Sequence, residues 1–252
     1  VEFARGKAIE ERDAPADTVL GMVKERIEGM EPEARRILRA ASIFGQSFTT
    51  SGIMSLVGGE TVANEIGEWL VTLEQREVVT RRGEHGPGDV EFTFRHALVR
   101  DAAYAMLTDH DRVLGHRLAA EHLEQRGMGD GAILAEHFER AGAPERAAPF
   151  WAESAKVALE AGDFDAALGR ADRGLSSGVT GNVAAGLELT RGEALRLSGK
   201  VAESLPVVER ALSGFDRGSL GWCNAAAERA LILQRLARNL ELVQAADELE
   251  RV

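Results

Sequence analysis

The chain has 252 residues, 44% of them hydrophobic and 28% charged, which is the composition of a globular protein of one large or two ordinary domains rather than a disordered one. A formal net charge of -11 argues against nucleic acid and anionic membrane as partners, because both need cations at the contact. A lone cysteine, Cys223, excludes a disulfide framework and a Cys-rich zinc site, and no apolar run is long enough to span a bilayer. No signal peptide precedes residue 1, so a cytoplasmic protein is expected. Aromatics are only 5%, and abundant alanine favours close-packed helices over a β-sandwich.

In chain order, residues 1–12 read as the polar tail of a helix, and the Asp13–Asp17 stretch with Pro15 as its break. Asp17 is placed to cap a helix through Ile27, with Val19, Leu20, Val23 and Ile27 as its apolar stripe. Pro32, flanked by Glu31 and Glu33, opens a second helix, buried through Ile37, Leu38, Ala41 and Phe44. Phe48 introduces a short helix over 50–57, stopped by Gly58 and Gly59. A further helix over 61–75 buries Val62, Ile66, Trp69, Leu70 and Leu73. A strand over 78–80, a Gly/Pro turn over 83–88 and a strand over 91–94 make a hairpin.

At His96 the hydrophobic period changes from two to 3.6. Phe92 and Phe94 alternate with Thr93 and Arg95, then Leu98, Ala102, Ala105 and Met106 recur at helical spacing. The imidazole therefore falls at a helix start, where unsatisfied N–H groups and the macrodipole suit phosphate oxygens. The bland alternative is a residue that only closes the strand-to-helix corner.

From residue 108 the pattern is helical and repetitive. Helices are expected over 109–125, ending at Gly127, and over 131–140, ending at Gly142 and Pro144. Trp151, Ala155, Ala158, Gly162, Asp163 and Ala167 then form a helix–turn–helix unit. Gly192, Leu195, Gly199, Val208 and Ala211 occupy corresponding places in the next, close to the ~34-residue period of tetratricopeptide (TPR) arrays. A third unit from Leu220 turns at Arg238 and Asn239 and breaks off in its second helix, as a piece of a longer protein would. Trp151 reads as a core wedge, and Cys223 beside Trp222 as a buried thiol.

The fold class expected is mostly α: a winged-helix domain with a small β-hairpin wing, followed by a TPR-like α-solenoid. Its divisions are 1–13, the tail of a preceding region; 14–107, the winged helix; and 108–252, the repeats. A winged helix raises the question of DNA, but Glu60, Glu65, Glu68 and Glu74 make the helix before the wing acidic. Arg81 and Arg82 read as a solvated strand edge. No phosphate loop, H-E-x-x-H, Ser-His-Asp order or Cys-His pair is present, so no metal site and no catalysis are expected of these residues. His116, His122 and His137 read as surface or packing residues.

The run Arg95-His96-Ala97-Leu98-Val99-Arg100-Asp101-Ala102-Ala103 resembles the M-H-D-L-V-R-D-L-A segment that ends the winged helix of STAND-type signalling ATPases. With A-E-H-F-E-R-A-G at 135–142, it is similar to a bacterial subgroup in which a kinase or cyclase precedes an AAA-like ATPase and TPR repeats. The resemblance implies that His96, with Arg95 as a second cation, touches nucleotide phosphates held by an ATPase domain N-terminal to Val1. It also implies ATP or ADP in the full-length protein, and a protein or small-molecule signal on the concave face of the repeats. Ala97 departs from the pattern, which has a carboxylate there. Two other readings remain open: a non-catalytic helical-repeat adaptor, and a DNA-binding transcriptional activator.

Overall fold

A computed structural model describes residues 15–58, 63–84, 88–127 and 129–250. The expected helix tail over 1–12, the helix start at Thr61 and Val62, and the tip of the hairpin over 85–87 lie outside them. Thirteen helices and three strands are described, so the chain is mostly α with one small sheet. It divides into two compact units, one ending at His122 and one beginning at Leu123. None of the described helices is long and apolar enough to cross a membrane.

The first unit runs α1 (Pro15–Glu28), α2 (Pro32–Phe44), β1 (Ser47–Thr49), α3 (Thr50–Val57), α4 (Ala63–Gln75), β2 (Val79–Glu84), β3 (Val90–Phe94) and α5 (Ala97–Ala105). The helix expected to start from a cap at Asp17 begins instead at Pro15, whose fixed φ suits a first turn. The expected two-stranded hairpin is a three-stranded antiparallel sheet in the order β1-β3-β2. The extra strand is only three residues long, too short to show periodicity, and it carries Phe48, expected to lead a helix. Because β1 covers one side of β3, Thr93 is buried along with Phe92 and Phe94, and its hydroxyl donates to Gln46 O at 3.0 Å. Phe48 packs 5.3 Å from the Phe94 ring and 6.2 Å from Phe92.

Ile27, Ile37, Leu38, Ile53, Ile66, Leu70 and Leu73 complete this core. Val19, expected inside, is 42% exposed. The stripe of α5 is also turned from the one expected: Val99, Ala102, Ala103 and Met106 pack inward, leaving Leu98 and Ala105 exposed. Both stripes have helical spacing, and α5 packs on α1 and α2, which selects the one with Ala103.

Helix α6 (Asp109–Gln125) belongs to the first unit as far as His122. Gly115 lets it approach α2 closely, since a Cβ there would stand 2.8 Å from Ile43. His116 is buried and within 2.9 Å of the Tyr104 hydroxyl.

The second unit contains α7 (Gly131–Arg140), α8 (Pro144–Glu160), α9 (Phe164–Ser176), α10 (Gly181–Leu197), α11 (Val201–Gly214), α12 (Leu220–Arg235) and α13 (Asn239–Glu250). Consecutive helices pack on each other, and α8 packs on α10 as α10 does on α12. The turns after α8, α10 and α12 each contain a left-handed residue: Gly162, Gly199 and Ala237. The third turn, expected at Arg238 and Asn239, therefore centres one residue earlier, and an alanine there accepts φ 56° without glycine's freedom. Trp151 is buried as expected, whereas Cys223 is only half-buried because the helix turns Trp222 inward in its place.

Two features of this unit carry measurable consequences. Gly192 lies on α10 where a Cβ would come 2.3 Å from the Val208 Cγ2 of α11, and that valine is buried and stiff at χ1. Gly192→Ala is therefore expected to destabilise by about 1–2 kcal/mol in urea unfolding, despite alanine's better helix propensity. His137 is buried in α7, and burial, helped by the Arg140 charge and opposed by Glu136, lowers its pKa from 6.5 to about 4. As pH falls below 6.5 the unfolded chain takes up a proton that the native imidazole refuses, so stability falls with pH. Between pH 7.5 and 5 the contribution is on the order of 2 kcal/mol, and in His137→Leu that share of the pH dependence should vanish.

Candidate functional site

The corner between β3 and α5 is fixed from both sides. Phe94 N–H donates to Gln46 O and Arg95 N–H to Val78 O, each at 3.0 Å, so ladder-like pairing continues to the residue before His96. His96 then stands at the N-cap with extended backbone (φ -133°, ψ 133°), and its carbonyl accepts from Val99 N–H at 3.0 Å. Its side chain makes no capping hydrogen bond and is exposed. The corner-closing role thus belongs to the His96 backbone, and the ring is not consumed by it.

The first turn of α5 contains no acidic residue. Ala97 at its first position leaves the positive end of the helix unneutralised, where an aspartate would place its own carboxylate.

Beside this helix start lies a pocket of about 250 Å³. Its lining is apolar through Val23, Ile27, Leu98 and Val99 and includes the acidic Glu77, and its cations are Arg26, Arg76 and Arg95, with the His96 imidazole beside them. Two of these cations are partly spoken for. Arg76 forms a bidentate pair with Glu31, at 2.8 Å on each arm, and its hydrogen bonds hold the Glu31 carboxyl at about 2. Arg95 pairs with Glu77 at 3.0 Å, both side chains being largely solvated. Arg26, exposed in the last turn of α1, has no ion pair among the described residues.

Arg95 and His96, the two residues singled out from the sequence, thus line one pocket. Sequence reasoning missed Arg26 and Arg76, which come from α1 and from just beyond α4. Nothing local marks them, since Arg26 is delivered by the packing of α1 on α5 and Arg76 is held by its pairing with Glu31. The ensemble can hold an anionic group, with Arg26 and His96 as free donors and the α5 N–H groups behind them.

A second constellation joins residues that no sequence motif linked. Asp89 is buried and accepts from Ser51 N–H at 2.9 Å and from Ser51 Oγ at 2.7 Å, while Ser51 Oγ lies 3.3 Å from His122 Nε2. These are triad residue types in the wrong order, because the serine hydroxyl donates to the carboxylate rather than to the imidazole. Asp89 acts instead as a cap for the start of α3, brought from the β2–β3 connection. No group of three or more metal-ligating side chains occurs among the described residues.

No protein-family model matches the chain, and no solved structure matches it. Over 130 residues, 49% of its length, the chain is 34% identical to an uncharacterized protein of Rhizobium meliloti (strain 1021). The matched stretch spans only 12% of that much longer protein.

Proposed function

We propose that this chain is the regulatory winged-helix and TPR segment of a STAND-type signalling ATPase. It would couple nucleotide state, sensed at the β3–α5 corner, to a partner or ligand on the helical repeats, and so control a linked output such as a protein kinase. The observation that carries this reading is His96: an exposed imidazole at a helix N-cap, unused by the cap, in a pocket shared with three arginines. The element order α2-β1-α3-α4-β2-β3, with its antiparallel sheet, supports a winged helix. Left-handed turn residues at Gly162, Gly199 and Ala237, recurring near the TPR period, support the repeats. The far greater length of the Rhizobium relative accords with a multidomain parent.

In this reading the chain's residues bind and orient rather than catalyse. His96 and Arg26 donate to phosphate oxygens of ATP or ADP presented by the ATPase domain of the same chain, and Arg95 exchanges Glu77 for that phosphate. Exposed Glu65 and Glu68 on α4, with the half-buried Glu74 on the same helix, would repel a DNA backbone, so duplex DNA is not a partner. In the intact protein, His96→Ala should weaken nucleotide binding roughly tenfold, as loss of one charge-assisted hydrogen bond does, and shift the output with it. Isothermal titration with ADP and an output assay check this. Unchanged affinity together with unchanged output would count against the switch.

A further inference from the structure

A groove of about 770 Å³ lies in the first unit, away from the His96 corner and between α3, α4 and the outer part of the sheet. Its apolar surface comes from Met54 of α3, Leu70 and Val71 of α4, and Val90 and Phe92 of β3. Val90 and Phe92 lie two apart on one strand and so share a face of the sheet. Arg81, in register with Phe92, stands beside them on β2. Val71 is 50% exposed although it faces this apolar surface, an arrangement that costs hydration free energy unless something covers it.

The rim is acidic. Glu68 lines the groove and Glu65 stands one turn earlier on the same helix, both exposed. The cation on the opposite wall does not offset them: Arg81 pairs with Glu84 at 3.1 Å, and its backbone N–H donates to Glu74. A duplex nucleic acid is therefore repelled, and a cationic partner attracted.

The walls also restrict the partner's backbone. Two helices and the sheet line the groove, and where the edge strand β2 reaches it the Arg81 N–H is already taken by the Glu74 carboxylate, so Arg81 leaves no free N–H for an added strand. A segment lying in it must satisfy its own backbone hydrogen bonds, which an α-helix does and an extended strand does not. Along α4 the lining residues Asn64, Gly67, Glu68 and Val71 extend roughly 10 Å, enough for about two turns of a partner helix.

We propose that this groove docks a basic amphipathic helix of a partner protein. Apolar side chains at i, i+3/i+4 and i+7 would enter between Met54, Val71 and Val90, and lysines or arginines would meet Glu65 and Glu68.

The test uses the 252-residue chain and a fluorescein-labelled 16-residue helix with leucines at that spacing and lysines elsewhere. A peptide of identical leucine pattern with glutamates in place of the lysines is the control. Fluorescence anisotropy should show binding of the lysine peptide that weakens as salt rises, and hydrogen exchange should show protection confined to 50–54, 64–71 and 88–92. Val71→Asp should weaken binding about tenfold or more, and Glu65→Lys/Glu68→Lys should weaken it while admitting the glutamate peptide. Both variants alter exposed side chains, and unchanged thermal midpoints verify their folding. Equal binding by Val71→Asp, equal uptake of the two peptides, no binding, or protection elsewhere would overturn the proposal. So would a self-association of the chain that Val71→Asp abolishes, since a second copy would then be the occupant.

Discussion

Replacing Glu228 by alanine is expected to destabilise the second unit by about 3–5 kcal/mol, with the loss seen as a lower urea midpoint at unchanged slope. Glu228 lies on α12 and is buried to 6% exposure, an environment that ordinarily excludes a carboxylate. It is held there by Arg196 of α10, whose Nε and Nη2 donate to its two oxygens, the second arm at 3.1 Å. Truncation leaves the Arg196 guanidinium in the same low-dielectric seam without its hydrogen-bonded counter-charge. That orphaned charge, rather than the loss of attraction, is the large effect. Arg196→Met with Glu228→Leu should therefore cost far less than either single change. Glu193 on α10 gives an independent readout. Its carboxyl is raised by burial, and Glu228's charge adds to the shift, so removing Glu228 should lower the Glu193 pKa. A single-mutant cost below about 1 kcal/mol would mean that water reaches Arg196.

Trp151→Ala should cost a similar amount, about 3–5 kcal/mol, for a different reason. The indole is 1% exposed, and its Nε1–H donates to Glu139 Oε1 at 2.7 Å. Arg173 lies over its ring at 4.0 Å and donates to Glu139 and Glu136, so one side chain joins α7, α8 and α9. Gly174 of α9 approaches closely enough that a Cβ would fall 3.1 Å from Trp151 Cβ and 2.8 Å from Leu187. Alanine at 151 leaves a cavity among neighbours fixed by helix packing, which cannot collapse fully. Trp151→Phe retains most of the packing and leaves Glu139 bonded to Arg173, so about 1–2 kcal/mol is expected. Thermal unfolding of both variants separates the two contributions, and equal losses would show that the hydrogen bond dominates.

Composition and periodicity by themselves determined the helical character of the chain and most element bounds. Helices over 50–57, 109–125 and 131–140 fall where spacing and Gly stops placed them. Those signals are local: each depends on residues within a few turns of one another. The sequence also singled out His96, since the change of period at that residue is itself local. What the tertiary structure alone decided are the meetings of distant segments. A three-residue strand gains its identity only by pairing with β3. The inward face of α5 was chosen by α1 and α2, because an alanine-rich helix has no unique apolar stripe. Arg26 and Arg76 reach the His96 pocket, Asp89 caps α3, and Glu228 finds Arg196 through packing between elements far apart in sequence. For a charged side chain, whether it ends solvated or buried depends on the partner that folding delivers, and no local pattern encodes that partner.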